Sequence, residues 1–367
     1  MSLNPRIVKE SFAQIEPFAD KAAAYFYGRL FAENPRLRAM FPPAMDGQRD
    51  RLFHAITRIV WSLDSPGTLE TYLSQLGRDH RKFGVLAEHY PAVGQALIAT
   101  LRKFCGDEWT TEAEQEWLAA FAVAAGIMTR AAEQDPAPPW WVGEVVEHER
   151  RTPDVAVFTV RPEQRLIYTA GQYVSIQVSR WPRVWRPFSI ANAPREDGIL
   201  RFHVRALSAG WVSGSLVRHT RIGDTVLLGP PLGSMTLDPY SDRDLLLVAG
   251  GTGLAPLKAL VEQVVLSGRH RNIHLILGAR TESDLYDLPD LRLLEQAYPW
   301  LRVVPVVSAQ RAFDGMHGLA GDVLDRFQGW EDHDVYLAGP PAMIDHAVRT
   351  LQRLGVSPAR LHHDPIP

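Results

Sequence analysis

The sequence predicts three successive domains: an all-α domain, an antiparallel β-barrel and a doubly wound α/β domain. Three changes of pattern predict them. Apolar residues recur at helical spacing up to about residue 133, alternate singly with polar residues beyond a proline-rich stretch, and gather into short unbroken runs after Asp242. A chain of 367 residues is long enough for two or three domains, each with its own core.

The helical domain spans residues 1–133. Asn4 before Pro5 is a cap and first-turn pair, after which Val8, Phe12 and Ile15 follow at helical spacing. Asp46 or Gly47 opens a helix carrying Leu52, Phe53, Ile56 and Ile59, and an alanine-rich helix runs from Glu112 to Ala132. Pro35, Pro42, Pro43, Pro66 and Pro91 fall between the helical patterns, where a missing N–H and a fixed φ do least harm.

Residues 134–140 form a linker around Asp135-Pro-Ala-Pro-Pro139, a proline density that stops a helix and makes a short, stiff spacer. From 141 to 240 the period is two. Val174, Ile176 and Val178 alternate with Ser175 and Gln177, and Leu200, Phe202 and Val204 alternate with Arg201, His203 and Arg205. Half-buried strands separated by Gly and Pro turns predict a small antiparallel barrel. From 241 to 367, the runs Leu245–Ala249, Ile273–Leu277, Val303–Val307 and Val335–Leu337 alternate with helical segments, as in a parallel sheet covered on both faces.

A net charge of −3 offers no basic surface for nucleic acid or an anionic membrane. Cys105 is the single cysteine, which excludes an internal disulfide framework and an all-cysteine metal cluster. With no secretory leader pattern and no run of roughly 18 apolar residues, the expectation is a cytoplasmic protein without a membrane span.

Three motifs carry chemistry. Arg186-Pro-Phe-Ser-Ile-Ala-Asn-Ala-Pro194 puts a cation, an aromatic ring and a hydroxyl on one extended stretch. That set suits a flavin, whose pyrophosphate needs a cation and donors while its ring needs a flat apolar neighbour. Val248-Ala-Gly-Gly-Thr-Gly-Leu-Ala-Pro256 is a glycine-rich turn between strand and helix, whose backbone amides can cradle a dinucleotide phosphate. Tyr336-Leu-Ala-Gly-Pro-Pro-Ala-Met343 closes a later strand of the same sheet.

In this order and spacing the motifs resemble the ferredoxin-reductase superfamily, which passes hydride from a nicotinamide to a flavin. The resemblance implies that Arg186 meets the FAD pyrophosphate, that Phe188 and Ser189 lie along the isoalloxazine, and that Tyr173 is a second flavin contact. The Gly210 to Ser213 turn would receive phosphate, and Arg205 joins the cofactor-binding set. Gly251, Thr252, Gly253 and Pro256 match the nicotinamide-phosphate loop, and Gly339, Pro340 and Met343 the later Gly-Pro-x-x-Met element. Two features depart from the pattern: Ala338 stands where the family usually has Cys, and the chain ends His-His-Asp-Pro-Ile-Pro where many members have an aromatic over the flavin. Ile366 is the candidate for that place, and Asp364 is either a supporting partner or a polar tail residue. Arg280 could pair with a 2′-phosphate or be a loop arginine, so NADH and NADPH both remain open.

The helical domain resembles bacterial globins. Tyr25-Phe-Tyr-Gly-Arg-Leu-Phe31, Asn34-Pro35 and Met40-Phe41-Pro42 are similar to the second helix and following corner. Gly47-Gln-Arg-Asp-Arg-Leu-Phe53 is similar to the helix over the distal haem face, and Gly77-Arg-Asp-His-Arg-Lys-Phe83 to the helix that supplies the iron ligand. A helical domain of this size fused to such a reductase is the arrangement of flavohaemoglobins, and the resemblance covers nearly the whole chain. It implies haem b, FAD and NADH or NADPH, with His80 as the iron ligand. Tyr27 would donate a hydrogen bond to bound oxygen, and Phe41 would wedge against the haem edge. Gln48 and Leu52 share a helix face and can present one donor and one apolar wall, whereas His54 is rotated away. Tyr90 matches a tyrosine that joins the proximal histidine and a glutamate. Ala132 stands at the glutamate's place and Glu133 one residue on, a rotation of about 100°.

The function so implied is transfer of electrons from NAD(P)H through FAD to haem-bound oxygen, with nitric oxide dioxygenation to nitrate as the reaction. The alternatives are a divergent relative acting as an NAD(P)H oxidase or reductase with another donor, and an oxygen or nitric oxide sensor. Oxygen, nitric oxide and NAD(P)H are the expected partners.

Overall fold

In a computed structural model, residues 3–269, 271–327 and 329–364 are described. The chain divides into two compact units, Met1–Trp140 and Trp141–Pro367.

The first unit holds α1 (Pro5–Ala13), α2 (Ala19–Glu33), α3 (Asp46–Trp61), α4 (Pro66–His80), α5 (Tyr90–Cys105) and α6 (Thr111–Glu133). The caps follow the sequence. The Asn4 side chain accepts from Arg6 N at 3.2 Å with Pro5 as first helical residue, and Thr110 accepts from Ala113 N at 3.0 Å. Pro66 opens α4 and Pro91 is the second residue of α5. Phe12 stacks on Phe53 at 5.4 Å within a core that includes Leu73, Leu101 and Trp117, whose indole donates to Ser11 Oγ at 2.8 Å. Helices α4 and α6 approach so closely at Gly77 that a Cβ there would sit 2.3 Å from the Met128 carbonyl oxygen. A second cluster, Phe26, Tyr27, Leu30 and Ala96, gathers Phe31, Phe41 and Leu52 around it.

The second unit begins with β1 (Trp141–Arg150), β2 (Val155–Pro162), β3 (Tyr173–Val178), β4 (Arg186–Ser189), β5 (Leu200–Arg205), α7 (Trp211–Arg218) and β6 (Thr225–Leu228). These strands pair antiparallel in the order β4-β3-β6-β1-β2-β5, with a register shift between Val145 and Glu147 that curves the sheet. There follow β7 (Leu245–Gly250), α8 (Leu254–Ser267), β8 (Ile273–Ala279), α9 (Leu288–Ala297), β9 (Leu301–Val307), β10 (Met316–His317), α10 (Ala320–Val323), β11 (Asp334–Ala338), α11 (Pro341–Arg353) and β12 (Leu361–His362). The second sheet is parallel, ordered β10-β9-β8-β7-β11-β12. Leu245, Leu247 and Ala249 enter one core and Leu246 and Val248 the other, as expected of strands covered on both faces. The order reverses at β7, which has β8 on one side and β11 on the other, so the crevice beyond the ends of β7 and β11 is the topological switch point.

One short segment after β8 fastens the barrel to this sheet. Asp284 meets Arg205 at 3.4 Å, the Tyr286 hydroxyl meets His203 Nδ1 at 2.8 Å, and Asp290 accepts from Arg151 at 3.0 Å. Asp287 beside them is fully buried against Lys258 at 2.6 Å. Among the described residues no helix is long and apolar enough to cross a membrane.

Candidate functional site

In the helical unit, α2 carries Tyr27 into an aromatic nest. Its ring lies 5.7 Å from Phe31 and 5.5 Å, edge-on, from Phe41, and its hydroxyl reaches the Gln48 carbonyl at 3.5 Å. Burial pushes the phenol up to about 12, so it remains a proton donor at neutral pH. Leu52 packs on the same cluster. The Gln48 side-chain oxygen accepts from Arg51 at 2.8 Å. His54 is exposed and bonds the Asp50 carbonyl at 2.8 Å.

His80 is the last residue of α4. Its Nδ1 lies 2.8 Å from the Leu76 carbonyl, which can only accept, so Nδ1 carries the proton and Nε2 keeps its lone pair. Desolvation lowers the imidazole from its ordinary value, opposed by the Leu76 carbonyl and Asp79. A neutral ring with Nε2 available is the form that binds iron, so the residues fit a haem. Tyr90 packs half-buried against the main core, and its phenol is raised by burial. Helix α6 runs regularly through Ala132 to Glu133, which is exposed at its last position. Glu133 therefore faces solvent rather than turning into the core beside Ala132.

On the barrel, β3 pairs with β4 so that Tyr173 lies opposite Ser189 and Val174 opposite Phe188. Arg186 is exposed and folds back onto the Trp185 carbonyl at 2.8 Å. Gly210 caps α7, and a Cβ there would meet Ser213 Oγ at 2.2 Å, so the turn has no room for a side chain. Arg205 is held between Asp154 Oδ2 at 3.3 Å and Asp284 Oδ1 at 3.4 Å. A Cβ on Gly251 would come within 3.8 Å of its guanidinium.

Beyond β7 the chain makes a single 3₁₀ turn, Gly251–Gly253, before α8, with Gly251 at φ +54°. Gly253 abuts β11: an added Cβ would sit 2.2 Å from the Ala338 carbonyl oxygen. Pro256, in the first turn of α8, costs no helix hydrogen bond. Gly339 lies against Gly250, with Met343 beside both, so the two predicted loops form one floor at the switch point, and Pro340 caps α11. Arg280 is exposed after β8.

Asp364 belongs to this region. Among the described residues its Oδ1 is buried without a hydrogen-bond partner, and it would lie 3.2 Å from a Cβ on Gly233, the glycine against which the Tyr173 ring packs. Burial raises its carboxyl above the usual range. A tail carboxylate has no periodicity, so the sequence leaves Asp364 open between a supporting partner and a polar tail residue. Ile366 lies outside the described residues.

Three family models match in order: globin over residues 24–128, an oxidoreductase FAD-binding domain over 143–237 and an oxidoreductase NAD-binding domain over 247–349. A flavohemoprotein of Bordetella pertussis is 27% identical over 97% of this chain and 96% of its own. The ferredoxin–NAD(P)(+) reductase component of a Pseudomonas putida naphthalene 1,2-dioxygenase system is 34% identical over 60% of this chain and 67% of its own. The crystal structure of the flavohemoglobin of Malassezia yamatoensis with bound FAD and heme shares the fold, with a TM-score of 0.82 and 19% identity over 99% of both chains. The class is thus a flavin- and nicotinamide-dependent oxidoreductase joined to a globin, with haem, FAD and NAD(P)H as the cofactors its domains call for. The chain belongs to the flavohaemoglobin family.

Proposed function

We propose that this flavohaemoglobin-like oxidoreductase is a nitric oxide dioxygenase that forms nitrate at the expense of NAD(P)H and oxygen. The observation that carries the reading is the pairing, in one helical unit, of an imidazole whose Nε2 is available with a buried phenol held protonated. Haem would supply the centre at which oxygen and nitric oxide meet, and FAD and the nicotinamide would supply its electrons. His80 would hold the iron through Nε2, while Tyr27 donates a hydrogen bond on the ligand side and Phe41 and Leu52 keep water out. Gln48 places Tyr27 through its carbonyl and steadies Arg51 through its side chain. Arg186, Ser189, Gly210 and Ser213 would hold FAD with Tyr173 and Phe188 at its ring. Gly251, Thr252, Gly253, Gly339 and Pro340 would hold the nicotinamide dinucleotide, with Arg205 beneath that loop. The family and the buried free thiol of Cys105 favour the cytoplasm as its compartment.

The test is aerobic nitric oxide consumption by the purified protein with NADH and with NADPH, nitrate being counted against nitric oxide. The reading expects many turnovers and one nitrate per nitric oxide. A single stoichiometric binding event without nitrate would make the protein a sensor. Rapid oxygen uptake that nitric oxide does not divert into nitrate would make it an oxidase.

A further inference from the structure

We infer that the stacked indoles of Trp181 and Trp211 form the platform on which the adenine of FAD rests, and that they let the barrel choose FAD over FMN. The inference rests on the FAD assignment above.

After β3 the chain doubles back. Trp181 N donates to Val178 O at 3.0 Å and Val184 N to Trp181 O at 3.2 Å. Arg183 within this turn has φ +66°, the one non-glycine left-handed residue among those described. Only a turn fixed by its surroundings keeps a bulky side chain in that region. The result is that Trp181 lies on Trp211, with ring centroids 4.8 Å apart and planes within 24°.

Trp211 is 42% exposed, Trp181 is partly buried beneath it, and nearby Leu207 is 63% exposed, so an apolar patch faces water. Its neighbours say what covers it. Trp211 is the first residue of α7, directly after Gly210 and two before Ser213, in the turn assigned above to the FAD phosphate. Trp181 begins the turn that leads into Arg186, the cation for the same pyrophosphate. Trp211 therefore directly follows the Gly210 turn, and Trp181 lies on the connection that leads into Arg186. A flavin dinucleotide anchored by those donors extends its adenosine past the second phosphate, whereas FMN ends at the first. Adenine stacks on an aromatic face without needing a matched hydrogen-bond pattern.

The experiment titrates flavin-stripped full-length protein with FAD and with FMN, following flavin fluorescence, for wild type, Trp211→Ala, Trp181→Ala and the two Phe variants. The expected result is a fall in FAD affinity of about tenfold or more for each Ala variant. FMN affinity should stay within about twofold, and the Phe variants should recover most of the loss. If FAD and FMN affinities fall together, or FAD affinity does not change, the platform is wrong while the FAD assignment stands. If the wild-type protein takes up no FAD, the assignment fails and the inference with it.

Discussion

The His80 imidazole donates from Nδ1 to the carbonyl of Leu76, 2.8 Å away and one turn back along α4. A neutral carbonyl draws less on that proton than a carboxylate would, so the ring is a weaker electron donor through Nε2. The resemblance gives a glutamate to the place of Ala132, and α6 packs on α4 through the Gly77–Met128 contact. Ala132→Glu should move the iron–histidine stretching band of the haem-loaded ferrous protein upward by resonance Raman. A folded, haem-replete variant with an unchanged band would mean that position 132 does not face His80. His80→Ala should lose the Soret band while flavin absorbance remains; if His54→Ala or His89→Ala did so instead, the iron ligand would be misassigned.

The Tyr27 phenol, raised to about 12 and lodged among Phe31 and Phe41, is poised to donate. Removing one hydrogen bond of about 1–1.5 kcal/mol corresponds to roughly tenfold in an equilibrium. Tyr27→Phe should therefore speed oxygen dissociation by about that factor with haem content unchanged, as flash photolysis would measure. An unaltered rate would assign Tyr27 to packing alone.

Arg186 sits exposed at the start of β4, with its guanidinium resting on the neighbouring Trp185 carbonyl. A charge-assisted contact of this kind contributes roughly 1.5–3 kcal/mol. Arg186→Ala should lower FAD occupancy at least several-fold, read from the flavin-to-protein absorbance ratio after gel filtration. Full retention would remove Arg186 from the flavin site.

Gly253 has no room for a side chain, since a Cβ would lie 2.2 Å from the Ala338 carbonyl oxygen of the adjacent strand. Gly253→Ala must push the phosphate loop off β11. The expected outcome is a tenfold or greater loss in NAD(P)H-driven flavin reduction by stopped flow, with FAD still bound. Unimpaired reduction would show that the nicotinamide does not use this loop.

His203 is buried and held well below its ordinary value, by desolvation first and by Lys258, Arg201 and Arg151 besides. Its Nε2 has no hydrogen-bond partner. The unfolded imidazole titrates near 6.5, so as the pH falls the unfolded chain takes up the proton first. This contribution to stability is complete above about pH 6.5 and is lost progressively below it, toward the lower folded value. His274 and His333, both lowered by desolvation, act in the same direction. Thermal melts from pH 8 to 5 should show the acid loss, and His203→Gln should flatten it; an identical slope would shift the effect to the other two.

Much of this architecture is legible in the residues. Asn4-Pro5 and the prolines mark helix ends because caps and missing N–H groups are local matters. The four long parallel strands follow from unbroken apolar runs. The two-residue edge strands Met316–His317 and Leu361–His362 carry no such pattern, because their pairing is imposed by the sheet. The same limit applies to the sites. The glycine loops announce themselves by composition, whereas Asp364 beside Tyr173 and the Trp181–Trp211 stack depend on contacts between distant segments. Glu133 shows the converse: one residue of offset in sequence becomes a solvent-facing side chain on a regular helix.

The short run from Asp284 to Asp290 engages Arg205, His203 and Arg151 of the barrel at three separate points. Excising the barrel alone, by cutting near residue 240, would strip two arginines and a buried imidazole of these partners, and excising the sheet alone would bare Tyr286, Asp284 and Asp290. The reductase half is in this sense indivisible: its minimal portable fragment runs from Trp141 through the last strand, and recombination or domain-swapping that respects the flavin–nucleotide pairing has to move both sheets as one cassette.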